Sequence, residues 1–156
     1  MHSKSNQKYG SPAFAIGQVY YMKFHSCENG QCGWRPGIIC QNNIGNLYSP
    51  NIIAIPLTTV IKRTEMPTHV IINRSKLGLR LSMALCENQH YLSKEDIGEY
   101  ITTLPDEVMR EIAKACLLAT ALIAYIPAAE LEEIRNAAIK LNATGGSLNN
   151  FLPSAV

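Results

Sequence analysis

From Ile16 to Cys86 the apolar residues come in short blocks divided by polar turns, and none of the blocks carries a helical spacing. Ile16 to Phe24, rich in Val, Tyr and Phe, predicts a first strand closed by the polar stretch His25 to Trp34. Gly37 to Gln41 reads as a short buried strand and Asn42 to Pro50 as loop by composition. The β-branched run Asn51 to Ile61 and the segments Thr68 to Ile72 and Leu81 to Cys86 complete a set of five strands. Five short strands with polar turns and no intervening helix predict a small barrel.

After Tyr91 the pattern turns helical. Lys94 to Gly98 reads as a short connecting helix or turn. Pro105 to Tyr125 predicts a helix, with proline in its first turn, Asp106 and Glu107 where the dipole favours acids, and a stripe of Val108, Ile112, Ala115, Ala119, Leu122 and Ile123. This helix is expected to close one end of the barrel. Pro127 opens a further helix with Leu131, Ile134, Ala138 and Leu141 on one face, ended by Thr144-Gly145-Gly146. Residues 1–14 read as a flexible lead-in and the last ten as disordered.

With 156 residues and 47% apolar content, the chain can bury one modest core, so a single domain over 15–126 with an extension over 127–156 is expected. No apolar run reaches the ~18 residues that a membrane-spanning helix requires, and Met1 to Phe14 lacks an apolar block of signal-peptide type. A cytoplasmic protein is the expectation. Net charge is only +2, yet it is unevenly spread. Residues 15–91 carry seven Lys/Arg against three acids, and residues 92–156 five against nine. A basic front half suits a phosphate-binding surface, because each neutralised phosphate releases counterions.

Five cysteines, an odd number, argue against a disulfide framework. Cys40, Cys86 and Cys116 lie in apolar runs and read as small core residues. Cys27 and Cys32 bracket Glu28-Asn29-Gly30-Gln31 and could be free thiols or a reversible clip. A zinc site would need two more ligands with His25 the only nearby candidate, so no metal or other cofactor is expected.

Arg35 is a candidate for chemistry, or else an ordinary surface charge preceding a strand. A planar, permanently charged guanidinium can clamp a phosphate and stabilise charge that accumulates in a transition state. Thr58 and Thr59 end a strand; a hydroxyl there can donate to a non-bridging oxygen, and alternation lets only one of the pair face a given site. Trp34, one residue from Arg35, can stack on a base or pack at an interface, and Asn42, Asn43 and Asn46 can read base edges or simply shape a turn.

Several segments resemble the MazF/PemK/Kid family of toxin endoribonucleases, in family order and spacing. They are Gly17-Gln18-Val19-Tyr20, Gly33-Trp34-Arg35-Pro36-Gly37 with the following Gln41-Asn42-Asn43-Ile44-Gly45-Asn46, Pro67-Thr68-His69-Val70, Cys86-Glu87-Asn88 and Pro105-Asp106-Glu107. The resemblance implies an SH3-like barrel of the MazF/CcdB type, a homodimer restrained by a cognate antitoxin, and single-stranded RNA as substrate. It implies attack by the RNA's own 2′-hydroxyl, leaving a 2′,3′-cyclic phosphate and a 5′-hydroxyl without a metal. Arg35 and Thr58 match the family's catalytic arginine and threonine, and Glu87 matches an acidic position used in some relatives, where it could accept the proton or else be an RNA-contacting or structural carboxylate. Gln31, Trp34, Asn42, Asn43, Asn46, Ser82, Asn88 and His90 fall on RNA-contacting positions.

The chain departs from the pattern at two places. His90 stands where relatives often carry arginine, replacing a permanent charge with one that titrates near neutrality. Gly30-Gln31-Cys32-Gly33 loses the acid of the corresponding loop. His69 reads as structural within its motif. Two rival readings are a CcdB-like gyrase poison and a non-catalytic nucleic-acid-binding barrel.

Overall fold

The structure, a computed structural model, describes residues 14–25, 32–73 and 75–143, Ser75 through its backbone alone. The described residues form seven strands: β1 (Gln18–Phe24), β2 (Gly33–Ile39), β3 (Asn51–Thr58), β4 (His69–Ile72), β5 (Ser82–Leu85), β6 (His90–Ser93) and β7 (Ile97–Thr103). Three α-helices accompany them, α1 (Asn43–Tyr48), α2 (Asp106–Thr120) and α3 (Leu131–Asn142). All pairings are antiparallel in the order β4-β5-β3-β2-β1-β7, with β6 also paired to β3. β3 is the hub: Asn51 to Ala54 pair with β6, Ala54 to Pro56 with β2, and Leu57 and Thr58 with β5.

The apolar runs are continuous because the sheet is buried on both faces. Val19, Ile38, Ile55 and Leu57 point into a core closed by Val108, Ile112 and Ala115 of α2. Their strand neighbours Tyr20, Met22, Phe24, Ile39 and Ala54 point the other way, into a second core with Ile52 and Leu92. Gly37 lies where these strands press closest, since a Cβ there would come within 2.7 Å of Met22 Sδ and 2.9 Å of Phe24 Cζ. Cys40, Cys86 and Cys116 belong to the α2-side core. Burial pushes the Cys40 thiol up to about 12, and a hydrogen bond with Cys116, followed by burial, raises that of Cys86, so both are packing groups and not nucleophiles.

Three expectations need correction. Asn42 to Pro50 is not all loop: Asn42 Oδ1 accepts the Gly45 N–H at 2.8 Å and caps α1, a helix too short to show a period. β6 and β7 exceed the expected five strands. β6 spans four residues and β7 is an edge strand with most of its side chains in water, so pairing with distant β3 and β1 makes them strands without an apolar pattern. α2 stops at Thr120, because Ala121 turns left-handed (φ 54°) and its N–H caps Leu117 O. Leu122 therefore leaves the buried stripe and is 64% exposed.

The extension does form a helix, yet no residue of α3 is buried. It is tied down at its end, where Asn43 N–H and Nδ2 donate to Asn142 Oδ1 (3.3 Å) and O (2.9 Å). The lead-in expected over 1–14 lies outside the described residues except Phe14, whose ring meets Tyr20 edge-on at 5.2 Å. The expected Thr144-Gly145-Gly146 stop and disordered tail also lie outside them.

Candidate active site

β2 carries Arg35 opposite Met22 of β1, two residues before the tightly packed Gly37, so the guanidinium rises from a rigid strand. Its Nη2 donates to Cys32 O at 3.3 Å. Thr58 ends β3 opposite Met83, and its Oγ1 accepts the Val60 N–H at 3.1 Å, which leaves the hydroxyl proton available to donate. Glu87 and Asn88 come from the turn between β5 and β6. These side chains line one cavity of about 670 Å³ together with Lys62, Arg63, Met66 and His69.

Two groups in this region are electrostatically tuned. Burial pushes the Glu87 carboxyl up, but hydrogen bonding from the backbone and from His69 outweighs it and leaves the group below the ordinary carboxylate value. Burial first, and the nearby Arg35 charge second, lower the pKa of His90. His90 also packs edge-on against Phe24, with centroids 5.1 Å apart. A neutral imidazole thus lies beside Arg35.

The remaining candidates lie apart from this cavity. Asn42 is the α1 cap, Asn43 Oδ1 accepts the Ile16 N–H at 2.8 Å, and Asn46 is 2% exposed with Nδ2 donating to Gln41 O at 2.9 Å. Ser82 is buried, donates to Arg80 O at 2.8 Å, and lines a second cavity with Thr59 and Tyr21. Thr58 and Thr59 thus face different cavities, as alternation requires. Trp34, 59% exposed, forms a shallow apolar pocket with Tyr21, Gly98 and Glu99. Gln31 and Cys27 lie outside the described residues, while His25 is bound to Asp96 Oδ2 at 2.8 Å. Sequence reasoning missed Lys62, Arg63 and His69 as cavity residues; the adjacent basic pair just after a strand was the available signal.

An arginine, a hydroxyl proton free to donate and an ionised carboxylate thus line one cavity beside Lys62 and Arg63, a set of groups chemically suited to a phosphodiester. Residues 15–119 match the family of PemK-like, MazF-like toxins of type II toxin–antitoxin systems. The chain is 34% identical over 111 residues to endoribonuclease EndoA of Bacillus subtilis (strain 168), an alignment covering 70% of this chain and 96% of that protein. It is similar to a mycobacterial endoribonuclease solved in complex with its cognate antitoxin, at 29% identity and a TM-score of 0.59 over 70% of this chain and 97% of that one. The MazF of Deinococcus radiodurans shares the fold, with a TM-score of 0.62 at 19% identity over 69% and 96% of the two chains. The chain belongs to the PemK-like, MazF-like toxin family. α3 lies beyond the matched segment.

Proposed function

We propose that this toxin endoribonuclease cleaves single-stranded RNA, with mRNA as its cellular target, at selected sequences and without a metal. The observation that carries the reading is that Arg35, Thr58 and Glu87, from β2, β3 and the β5–β6 turn, line a single cavity. The substrate's 2′-hydroxyl is the nucleophile: its oxygen bonds to phosphorus, its proton passes to Glu87, and the bond from phosphorus to the 5′-oxygen breaks, the 5′-oxygen taking a proton from water. The products are a 2′,3′-cyclic phosphate and a 5′-hydroxyl. Arg35 holds the scissile phosphate and Thr58 donates to a non-bridging oxygen, both countering the growing negative charge. The depressed Glu87 pKa keeps the carboxylate ionised, and so free of its own proton, at neutral pH, while making it a weak base.

Lys62 and Arg63 supply phosphate contacts on either side of the scissile bond, and Asn88 and His90 contact nearby nucleotides. The toxin domain spans 15–126, with 127–156 an extension to it. The protein acts in the cytoplasm as a homodimer held in check by a cognate antitoxin. Support comes from the similar toxin solved with its antitoxin and from the exposed aromatics Tyr21, Trp34 and Tyr100 on neighbouring strands β1, β2 and β7.

The test is cleavage of an oligoribonucleotide in EDTA, with the fragment ends identified by mass. A cyclic phosphate is expected, no cleavage of DNA, and no cleavage when the scissile 2′-hydroxyl is replaced by hydrogen. Arg35→Ala should lower the rate by about 100-fold or more. Cleavage that requires a divalent metal, or a folded Arg35→Ala protein with the wild-type rate, would overturn the mechanism.

A further inference from the structure

His69, at the start of β4, makes two side-chain hydrogen bonds in opposite directions. Nδ1 lies 2.9 Å from Arg63 O and Nε2 lies 2.8 Å from Glu87 Oε1. The side chain is only 9% exposed. Arg63 itself has a left-handed backbone (φ 50°), a conformation that a bulky residue holds only when its surroundings enforce it. The Arg63 carbonyl accepts both the Met66 N–H at 3.1 Å and the His69 ring. One imidazole therefore bridges the loop that carries Lys62 and Arg63 to the carboxylate across the cavity.

Neither partner can donate. A carbonyl oxygen and an ionised carboxylate only accept, so both contacts are hydrogen bonds only when the ring carries a proton on each nitrogen. We propose that His69 is a positioning residue: a two-ended tie that fixes the Glu87 carboxylate and the Lys62–Arg63 loop in one geometry. The inference rests on the reading of Glu87 as proton acceptor and of the loop as a phosphate contact. The groups facing this ring and its carboxylate partner are Arg35 from β2, Lys62 and Arg63 from the loop, and the Cys86 thiol at the end of β5, which is paired with Cys116 of α2.

A role in holding both ends differs from a packing role in what it moves. His69→Ala should lower kcat through a displaced Glu87 and raise KM through a loosened loop, with kcat/KM falling on the order of 100-fold. His69→Gln, which keeps one donor and can hold one end of the tie, should recover part of kcat. Side-chain 15N NMR of the wild-type protein at neutral pH should show both His69 ring nitrogens protonated. In Glu87→Gln, whose amide can donate to Nε2, only Nδ1 should remain protonated.

A singly protonated His69 ring in wild type, or wild-type kcat and KM in a folded His69→Ala protein, would overturn the tie. Failure of wild type to cut RNA at all would instead refute the ribonuclease reading, while the NMR measurement, which needs no catalysis, still decides the state of His69.

Discussion

Asn46 decides between two roles for the asparagine cluster, and Asn46→Ala separates them. Nδ2 of Asn46 donates to Gln41 O at 2.9 Å and to Asn43 Oδ1 at 3.2 Å, and its Oδ1 accepts from Gln41 Nε2 at 3.3 Å. The side chain is 2% exposed, so water cannot freely replace these bonds. A net loss of about 1 kcal/mol per bond, with buried partners left unsatisfied, gives a destabilisation of roughly 3 kcal/mol. For a chain of this size that lowers Tm by on the order of 10 °C. Thermal unfolding followed by circular dichroism reads the shift, and oligoribonucleotide binding at a temperature where both proteins are folded reads the affinity. The structural role predicts a large Tm shift with unchanged affinity. A Tm within about 2 °C of wild type, together with affinity weakened about tenfold, would refute it and return Asn46 to base recognition.

Gly37→Ala should destabilise by about 1–3 kcal/mol, because its methyl group would overlap Met22 and Phe24; an unchanged urea midpoint would show that these side chains can yield. Truncation after Ile126 should leave RNA cleavage intact and cost only the Asn43–Asn142 bonds, about 1 kcal/mol each. Loss of folding or of the dimer on truncation would instead mean that the exposed α3 is covered in solution. His90 is held below its ordinary value of 6.5, so the unfolded chain takes up a proton that the folded one resists. Stability should therefore fall as pH drops below about 6.5 toward the folded value, and His90→Gln should flatten that slope in urea melts recorded across the range.

Local chemistry was legible where it repeats or where a motif brings its own spacing. The β-branched runs, the acids opening α2 and the Arg35-Pro36 and Pro67-Thr68-His69 segments needed no tertiary information to be noticed, because strand alternation, the helix dipole and motif spacing act within a few residues. Partnership across the fold was not legible. Asn42, Asn43 and Asn46 have the same composition whether they read bases or build a helix, and only burial and bonding to Gln41, Ile16 and Asn142 show what holds them. β6 and β7 lack an apolar pattern because distant backbone pairing makes them strands. Ala121 ends a helix that its periodicity would have continued. His69 meets Arg63 and Glu87, 6 and 18 residues away, because β4 pairs with β5 and brings the following turn back across the cavity. The chain determines which groups are available for chemistry; long-range strand register determines which of them meet.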